Sequence, residues 1–520
     1  MAEEIGLSID TDQYAKCMLN QQEKSKKTTK TETQTIVLIA EHTSKLKADG
    51  VPQTDNLGKY KWHITPKATV LAIVHTNGTD INFADKSYIP AGYSDIVGLI
   101  TDNSSFYPTA GGQVSDTGFI EGADGFKFEV ASVNVFAGYV LHIGKIVTGV
   151  VDKGAPVVLQ VDYARRALIA PNHTMTHVLN YALRKVLSDQ NPPVDQRGSQ
   201  NDPEKLRFDF NARKGLTPAQ LQKVEDICNE SIENAQAIHT TSVEYVVAKK
   251  ITSLRCMFDE TYPKIVRVVT IGESAEVMLK DPTSAEWKNF SVELCGGTHI
   301  DNTAKAQQFA ILEESSVAAG IRRIVAVTRD KAREAFENLA VLQGQITEAL
   351  GIKGPSKLPA LKECSKLIKK TVMPVAAKKQ LDQQLKKQVI KAVKEQKALK
   401  QKAAKKAIEK GKALAAACDD ACVVLDLENI DGGAVNKLLD ALTKAQPDKA
   451  FIVMSNDPAN NKYTCAGRSG SSLDINAVIQ AVAAVGGGRA GGKPARSQGA
   501  GKDSSKYAEA LSLAKTMSKA

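Results

Sequence analysis

Apolar positions change their period along the chain, and each change predicts a different kind of structure. In residues 1–34, Tyr14 and Met18 recur at helical spacing ahead of Lys24, Lys26, Lys27 and Lys30, which predicts a helix with a lysine-rich end. From about 60 to 162, short apolar runs (ATVLAIVHT, SDIVGLIT, FKFEVASVNVF, APVVLQVD) alternate with turn signals at Asn77-Gly78, Ala123-Asp124-Gly125 and Gly154-Ala155-Pro156. Several short strands at this spacing predict an antiparallel β-barrel over 35–162. Over 163–330, helical and strand patterns mix. Leu179, Leu183, Val186 and Leu187 share a face of a helix from Asn172 to Leu187, Thr217-Pro218-Ala219 opens another, and strands follow at IVRVVTIG, SVEL, QQFAILEE and IRRIVAVT. This predicts an α+β domain.

Glycine then becomes scarce. Residues 331–415 are rich in Ala, Lys, Leu and Gln, with Leu381, Leu385, Val389 and Val393 at three-to-four spacing, so a long helical hairpin or coiled coil is expected. Its remaining faces are cationic, either a solvated surface or a phosphate contact. The last segment, 416–520, returns to α/β alternation, with strands at ACVVLDL and AFIVMSN. It is followed by VGGGRAGGKPARSQGAGK, which reads as a flexible loop. Its amides and its Arg489, Lys493 and Arg496 could seat phosphate, and a plain linker has the same composition. The fold class is therefore multidomain α+β.

A length of 520 residues suits three or four domains at roughly 150 residues each. The net charge of +10 favours a polyanionic partner, whereas aromatic content of 5% argues against recognition by stacking platforms. Eight cysteines in 520 residues are too sparse for a disulfide framework, so a reducing compartment is expected. The N-terminus MAEEIGLSID has no apolar core, and no apolar run reaches the ~18 residues of a membrane span. These features predict a cytoplasmic protein with no membrane partner.

The chemistry is concentrated in two short clusters. His173-Thr-Met-Thr-His177 places two imidazoles at i and i+4 on one helix face, close enough to share a metal. It lacks the glutamate of HExxH, which removes the metalloprotease reading. Cys295-Gly-Gly-Thr-His299 adds a thiolate and a third imidazole on a tight loop. Either pair alone has a bland explanation, a buried cysteine being usual. Together they supply a tetrahedral zinc set, joining distant parts of one domain. His42, His63, His75, His142 and His239 stand singly, as surface or core residues. Cys418 and Cys422 read as small apolar residues near a strand start.

HTMTH, QRGS at 196–199, LRFDF at 206–210, CGGTH and GIRRIVAVT at 320–328 together resemble the editing domain of the alanyl-tRNA synthetase family. FYPTAGGQVSDTG at 106–118 resembles the barrel that precedes this domain. The coiled coil, α/β unit and glycine-rich tail resemble its C-terminal tRNA-binding domain, most closely in eukaryotic cytoplasmic forms. The likeness covers nearly the whole chain in the same order, and Gln200-Asn201-Asp202 departs from a usually more apolar stretch.

The resemblance implies hydrolysis of mischarged Ser-tRNA(Ala) or Gly-tRNA(Ala), one Zn²⁺, tRNA(Ala) as partner and a homodimer through the C-terminal region. It implies Thr176, Gln196 and Gln113 as pocket residues. Arg322, Arg323, Arg489 and Lys493 are candidate tRNA contacts. Four protein ligands would close the zinc shell, which leaves a catalytic and a structural role both open; the rival reading is a non-catalytic tRNA-binding protein with a structural zinc. Residues 1–34 resemble only the end of the helical region behind a class II aminoacylation core. The expectation is therefore a C-terminal half that lacks this core, and with it alanine–tRNA ligase activity and the use of ATP and Mg²⁺.

Overall fold

The computed structural model describes residues 36–77, 80–87, 95–256, 262–428, 430 and 432–519, so the helix expected at 1–34 lies outside the described residues. It divides into two compact units: one runs to Leu342 and includes Lys370–Leu381, and the other comprises Gln343–Lys369 and the chain from Asp382 onward. The architecture is mixed α+β, with several antiparallel sheets and helices.

The first unit begins with a short helix, α1 (Ala40–Ala48), and a seven-stranded antiparallel sheet. Its strands are β1 (Lys67–Thr76), β2 (Ile81–Ala84), β3 (Ile96–Thr101), β4 (Gly118–Gly122), β5 (Lys127–Phe136), β6 (Tyr139–Thr148) and β7 (Pro156–Val161). The order is β2-β1-β3-β6-β5-β4-β7, and β1 also pairs with β7 at Lys67–Val158 and its neighbours. Val70, Ile73, Leu99, Phe128, Val140 and Leu159 fill its interior. Strand β6 has no clean alternation to announce it, because its first six residues are all buried.

Helix α2 (Tyr163–Val186) follows, then β8 (Gln196–Asn201), β9 (Leu206–Asn211), α3 (Pro218–Glu233), β10 (Ile238–Glu244), β11 (Ile265–Ile271), β12 (Ser291–Leu294), β13 (Phe309–Ala318) and β14 (Ile321–Thr328). Two sheets result, in the orders β10-β11-β12 and β13-β14-β9-β8. Met175, Leu179 and Leu183 of α2 share one core with Phe208 and Phe210 of β9 and Val224 of α3. The cap predicted at Thr217 is made: its hydroxyl accepts from Gln220 N at 3.2 Å, and Pro218 occupies the first helical position, where no donor is needed.

The segment expected to be a long helical hairpin or coiled coil forms three helices, α4 (Arg329–Gly351), α5 (Lys357–Lys370) and α6 (Val375–Ala416). Gly354-Pro355 and Pro374 interrupt the run, since proline leaves a helical carbonyl without its donor and, among the described residues, no other group replaces it here as Arg329 does at Pro171. On α6, Leu385 and Ala392 are buried, while Val393 of the expected stripe is exposed. The second unit ends in a five-stranded sheet: β15 (Cys422–Asp426), β16 (Ala450–Asp457), β17 (Lys462–Ser469), β18 (Arg489–Lys493) and β19 (Arg496–Gly501), in the order β15-β16-β17-β19-β18. Helices α7 (Gly432–Ala445), α8 (Ile475–Val485) and α9 (Tyr507–Met517) pack on it.

One correction concerns the glycine-rich tail. It is not a loop but the β18–β19 hairpin. The glycines serve close approach: a Cβ on Gly488 would lie 1.7 Å from Ala500 O, and one on Gly501 2.2 Å from the Tyr463 ring.

Candidate metal centre and adjoining cleft

Helix α2 starts earlier than its apolar period predicts and runs straight through Pro171. Proline has no N–H to give the carbonyl four residues back, so Ala167 O loses its helical partner. Arg329 replaces it, donating from Nη1 at 2.7 Å. At the start of the same helix, Arg166 is wholly buried and bonds to Asp116, Lys59 O, Lys61 O and Ser105 O. A buried guanidinium satisfied this fully fixes the helix against the β1–β7 sheet and its flanking loops.

These anchors hold two histidines one turn apart on a buried helix face. His173, His177 and His299 are buried, Cys295 is half-buried, and their ligand atoms all lie within 4.8 Å of one another. Each imidazole is gripped at Nδ1. His173 Nδ1 donates to Gln113 Oε1 at 2.6 Å, His177 Nδ1 donates to Glu293 Oε2 at 2.5 Å, and His299 Nδ1 lies 3.1 Å from Thr174 Oγ1. That leaves the Nε2 atoms to converge. His177 Nε2 and His299 Nε2 are buried without a hydrogen-bond partner among the described residues, and His173 Nε2 lies 3.3 Å from Cys295 Sγ. Buried imidazole nitrogens facing each other and a thiol, with every Nδ1 held from behind, fit a tetrahedral metal.

The electrostatics agree at Cys295 and His299. Burial would raise the Cys295 thiol, but the surrounding His173, His177 and His299 hold it well below its ordinary value, favouring the thiolate that binds metals. Burial lowers His177 too, yet the Glu293 carboxylate and Cys295 outweigh it and raise the group to about 10, so this imidazole is charged in the metal-free protein and must lose its Nε2 proton to become a ligand. Burial dominates at His299, which falls to about 3 and so keeps a neutral imidazole.

The second glycine of CGGTH has a local reason. A Cβ on Gly297 would lie 2.1 Å from His173 Cε1, so only glycine lets the loop reach the ring. Gly112 plays a similar part in the loop that carries Gln113: its φ is +80°, and a Cβ would come within 2.5 Å of Ser199 O.

A cleft of about 680 Å³ opens beside the cluster, with Thr298 and His299 in its wall. Tyr60, Trp62 and His63 provide aromatic surface, and Arg267 and Arg329 provide charge. Arg267 is fixed by its bonds to Cys295 O and Gly297 O, at 3.0 and 2.8 Å, and lies 4.2 Å from the Tyr60 ring centroid. Burial lowers its pKa. Arg329 Nε is buried with no partner among the described residues.

Of the expected pocket residues, Gln113 alone reaches the cluster; it also donates to Thr298 Oγ1 at 2.8 Å. Thr176 turns away, bonding to Asn172 O and Asn201 Oδ1, and Gln196 donates to Ser199 Oγ. Neither lines the cleft. Arg322 and Arg323 are already matched by carboxylates, Arg322 to Glu314 and Arg323 to Asp209 at 2.7 and 2.8 Å. Arg489 and Lys493 are exposed on the edge strand β18. Sequence reasoning missed Thr174, Glu293, Thr298 and Arg267. The one signal was an acid, Glu293, two residues from Cys295 in an otherwise apolar strand.

Three family models match the chain: class II (A) tRNA synthetases over residues 1–165, the second additional domain of threonyl and alanyl tRNA synthetases over 266–325, and the DHHA1 domain over 419–520. A cytoplasmic alanine–tRNA ligase of Dictyostelium discoideum is 34% identical over 535 residues, covering 100% of this chain and 55% of its own. An alanine–tRNA ligase of Candida albicans is 35% identical, covering 96% and 52%. The chain thus spans about half the length of these curated relatives. A solved C-Ala domain of Aquifex aeolicus alanyl-tRNA synthetase aligns with 19% of this chain and 89% of its own at 23% identity, with a TM-score of 0.17. The class II match overturns the expectation of a chain lacking the aminoacylation core.

Proposed function

We propose that the chain is a member of the alanyl-tRNA synthetase family, as the matched second additional domain and the similar alanine–tRNA ligases support, and that its first unit edits: it hydrolyses the ester of serine or glycine wrongly joined to tRNA(Ala). The observation that carries this reading is the His173–His177–Cys295–His299 cluster set in the wall of an arginine-lined cleft. Such a site answers a real need. An alanine pocket cannot strongly reject serine, which only adds a hydroxyl, so discrimination stops near 10²-fold and a second, hydrolytic site is required.

In this reading, residues 35–162 are the β-barrel, supported by the β1–β7 pairing that brings the sheet round on itself. Residues 163–330 are the editing domain, 331–415 the lysine-rich arm and 416–520 the tRNA-binding domain. The four cluster residues hold one Zn²⁺, which when bound supplies a concentrated positive charge beside the scissile ester. Trp62 and Tyr60 take the face of the terminal adenine, and Arg267 and Arg329 meet its phosphate. Gln113 and Thr298 form a hydrogen-bonded pair at the cluster's edge, where a substrate hydroxyl would find both a donor and an acceptor. Arg489, Lys493 and the lysines of α6 contact the tRNA backbone, and the second unit supports a homodimer. The class II match keeps alanine–tRNA ligation, with ATP and Mg²⁺, within the activity of the whole protein. A cytoplasmic location is part of this reading, supported by a relative whose name includes that compartment. Among the described residues no helix is long and apolar enough to cross a membrane.

A second reading has its own support, because four protein ligands fill a tetrahedral shell as structural zinc sites do. Serine release from Ser-tRNA(Ala) by the purified chain decides between them. Zinc-loaded protein should hydrolyse the ester well above background, and chelator-stripped protein should not. Background rates in both would leave a tRNA-binding protein with a structural metal.

A further inference from the structure

Residues other than glycine rarely adopt a left-handed backbone, because Cβ then crowds a neighbouring carbonyl. Seven do so among the described residues, and three of them, His63 (φ +56°), Gln307 (φ +59°) and Arg329 (φ +57°), line the cleft beside the metal centre. Strain of this kind persists only where the surroundings impose it, and it gathers at binding and catalytic sites. Arg329 has a structural use in its bond to Ala167 O, and the His63 ring packs with its centroid 5.0 Å from that of Tyr163. Gln307 has no such use: its side chain is exposed and makes no hydrogen bond among the described residues.

The backbone at this point is fixed from both sides. With ψ at −58°, Gln307 is the centre of a γ-turn of the strained hand, closed by Gln308 N donating to Ala306 O at 2.6 Å. Gln307 N donates back to Ala304 O at 2.9 Å, and Gln308 O accepts from Arg329 N at 3.0 Å. Asn229 then holds Phe309, accepting from its N–H and donating to its carbonyl, both at 2.9 Å. On the preceding side, Thr303 and Ala306 are wholly buried. The Gln307 side chain thus leaves the cleft wall from a rigid point, and its chemistry is distinct there. Among the described lining residues it is the one amide, with a donor and an acceptor side by side in a plane. Nearby charges are already engaged: Asp301 and Lys305 pair at 2.7 Å, and Arg267 bonds to Cys295 O and Gly297 O. The same cleft offers the aromatic faces of Tyr60, Trp62 and His63. A planar amide in a cleft with stacking faces matches adenine, whose 6-amino donor adjoins a ring-nitrogen acceptor, an edge that glutamine meets with two hydrogen bonds.

We propose that Gln307 is a specificity-determining residue that reads the edge of the terminal adenine of the tRNA, accepting from its 6-amino group and donating to the adjoining ring nitrogen. The proposal rests on the editing reading and adds to it a residue that sets which base the cleft admits. The left-handed backbone is then a cost in stability that holds one amide in place. Glycine at this position would relieve the strain and lose the contact.

Two short oligoribonucleotides test it, each carrying serine at the 3′ end through an amide that water does not cleave. One ends in adenosine and the other in purine riboside, which lacks the 6-amino group. In calorimetric titration of the full zinc-loaded chain, the adenosine probe should bind at least roughly fivefold more tightly. Gln307→Leu, which keeps the strain, and Gln307→Gly, which relieves it, should bind both probes alike. The glycine variant should also unfold about 2–4 °C higher. Hydrolysis of Ser-tRNA(Ala) is read in parallel. Hydrolysis by the wild type with no preference between the probes overturns the role of Gln307 and leaves editing standing. Preference that both variants lose, without hydrolysis by the wild type, overturns editing and leaves the base contact standing. Preference retained in both variants overturns the proposal outright, and a glycine variant no more stable than wild type removes the strain on which it is argued.

Discussion

Gly297 sets how closely the Cys295 loop can approach helix α2. With a Cβ it would stand 2.1 Å from His173 Cε1, far inside any van der Waals contact, so the imidazole must shift. Gly297→Ala should therefore weaken metal binding about 10–100-fold, the range found when groups that orient ligands are disturbed. Competition with a chromophoric chelator measures this, and wild-type affinity in the variant would mean that the ring is not held where the metal needs it. The clustering of these four side chains was legible, because HTMTH and CGGTH are short and chemically loaded. Their supports were not. Gln113 came from resemblance alone, and Thr174 is an ordinary helix threonine until the fold brings His299 to it. Glu293 looks like a surface acid of a strand until His177 and Asn180 are found on its two oxygens.

At the scale of elements, strands announced by alternation appear where expected, as at Ile265–Ile271 and Ile321–Thr328. What failed was composition read as conformation. The helix expected from Asn172 begins at Tyr163, because Arg329, 162 residues beyond Ala167, supplies the bond that Pro171 cannot. The glycines near the C-terminus look like a linker but form a close-packed hairpin. Helix α3 carries a further consequence. Glu225 is buried, its Oε2 accepts from Ile311 N of β13, and burial raises it to about 7. The folded state thus binds this proton more tightly than the unfolded chain, whose glutamates titrate near ~4.3. The group's contribution to stability is full below that value and is lost as pH rises through about 7. The loss is on the order of 3 kcal/mol. Urea unfolding of wild type and Glu225→Gln from pH 4.5 to 8 should show the wild-type decline reduced by that order in the variant. Parallel curves would place the charge elsewhere.

At the scale of the molecule, a net charge of +10 is not spread evenly, and the lysines of α6 are its densest tract. If they meet the tRNA backbone, affinity for tRNA(Ala) should fall steeply between 50 and 200 mM salt, by roughly 10³-fold for about six phosphate contacts. Replacing Lys397, Lys400, Lys402 and Lys405 with glutamine should flatten that slope, as read by filter binding; an unchanged slope would return these lysines to solvent. The division into two compact units is compatible with the proposal of a hydrolytic site in the first unit and a tRNA contact in the second. Everything about the first unit's chemistry depends on one claim, that segments 122 residues apart share a single metal through Cys295 and three imidazoles. X-ray absorption at the zinc edge of the purified chain tests it most directly. The account predicts one zinc per chain, with three nitrogens at about 2.0 Å and one sulfur at about 2.3 Å. It also predicts loss of the sulfur shell in Cys295→Ala. A zinc-free protein, or a spectrum unchanged by that substitution, would contradict it.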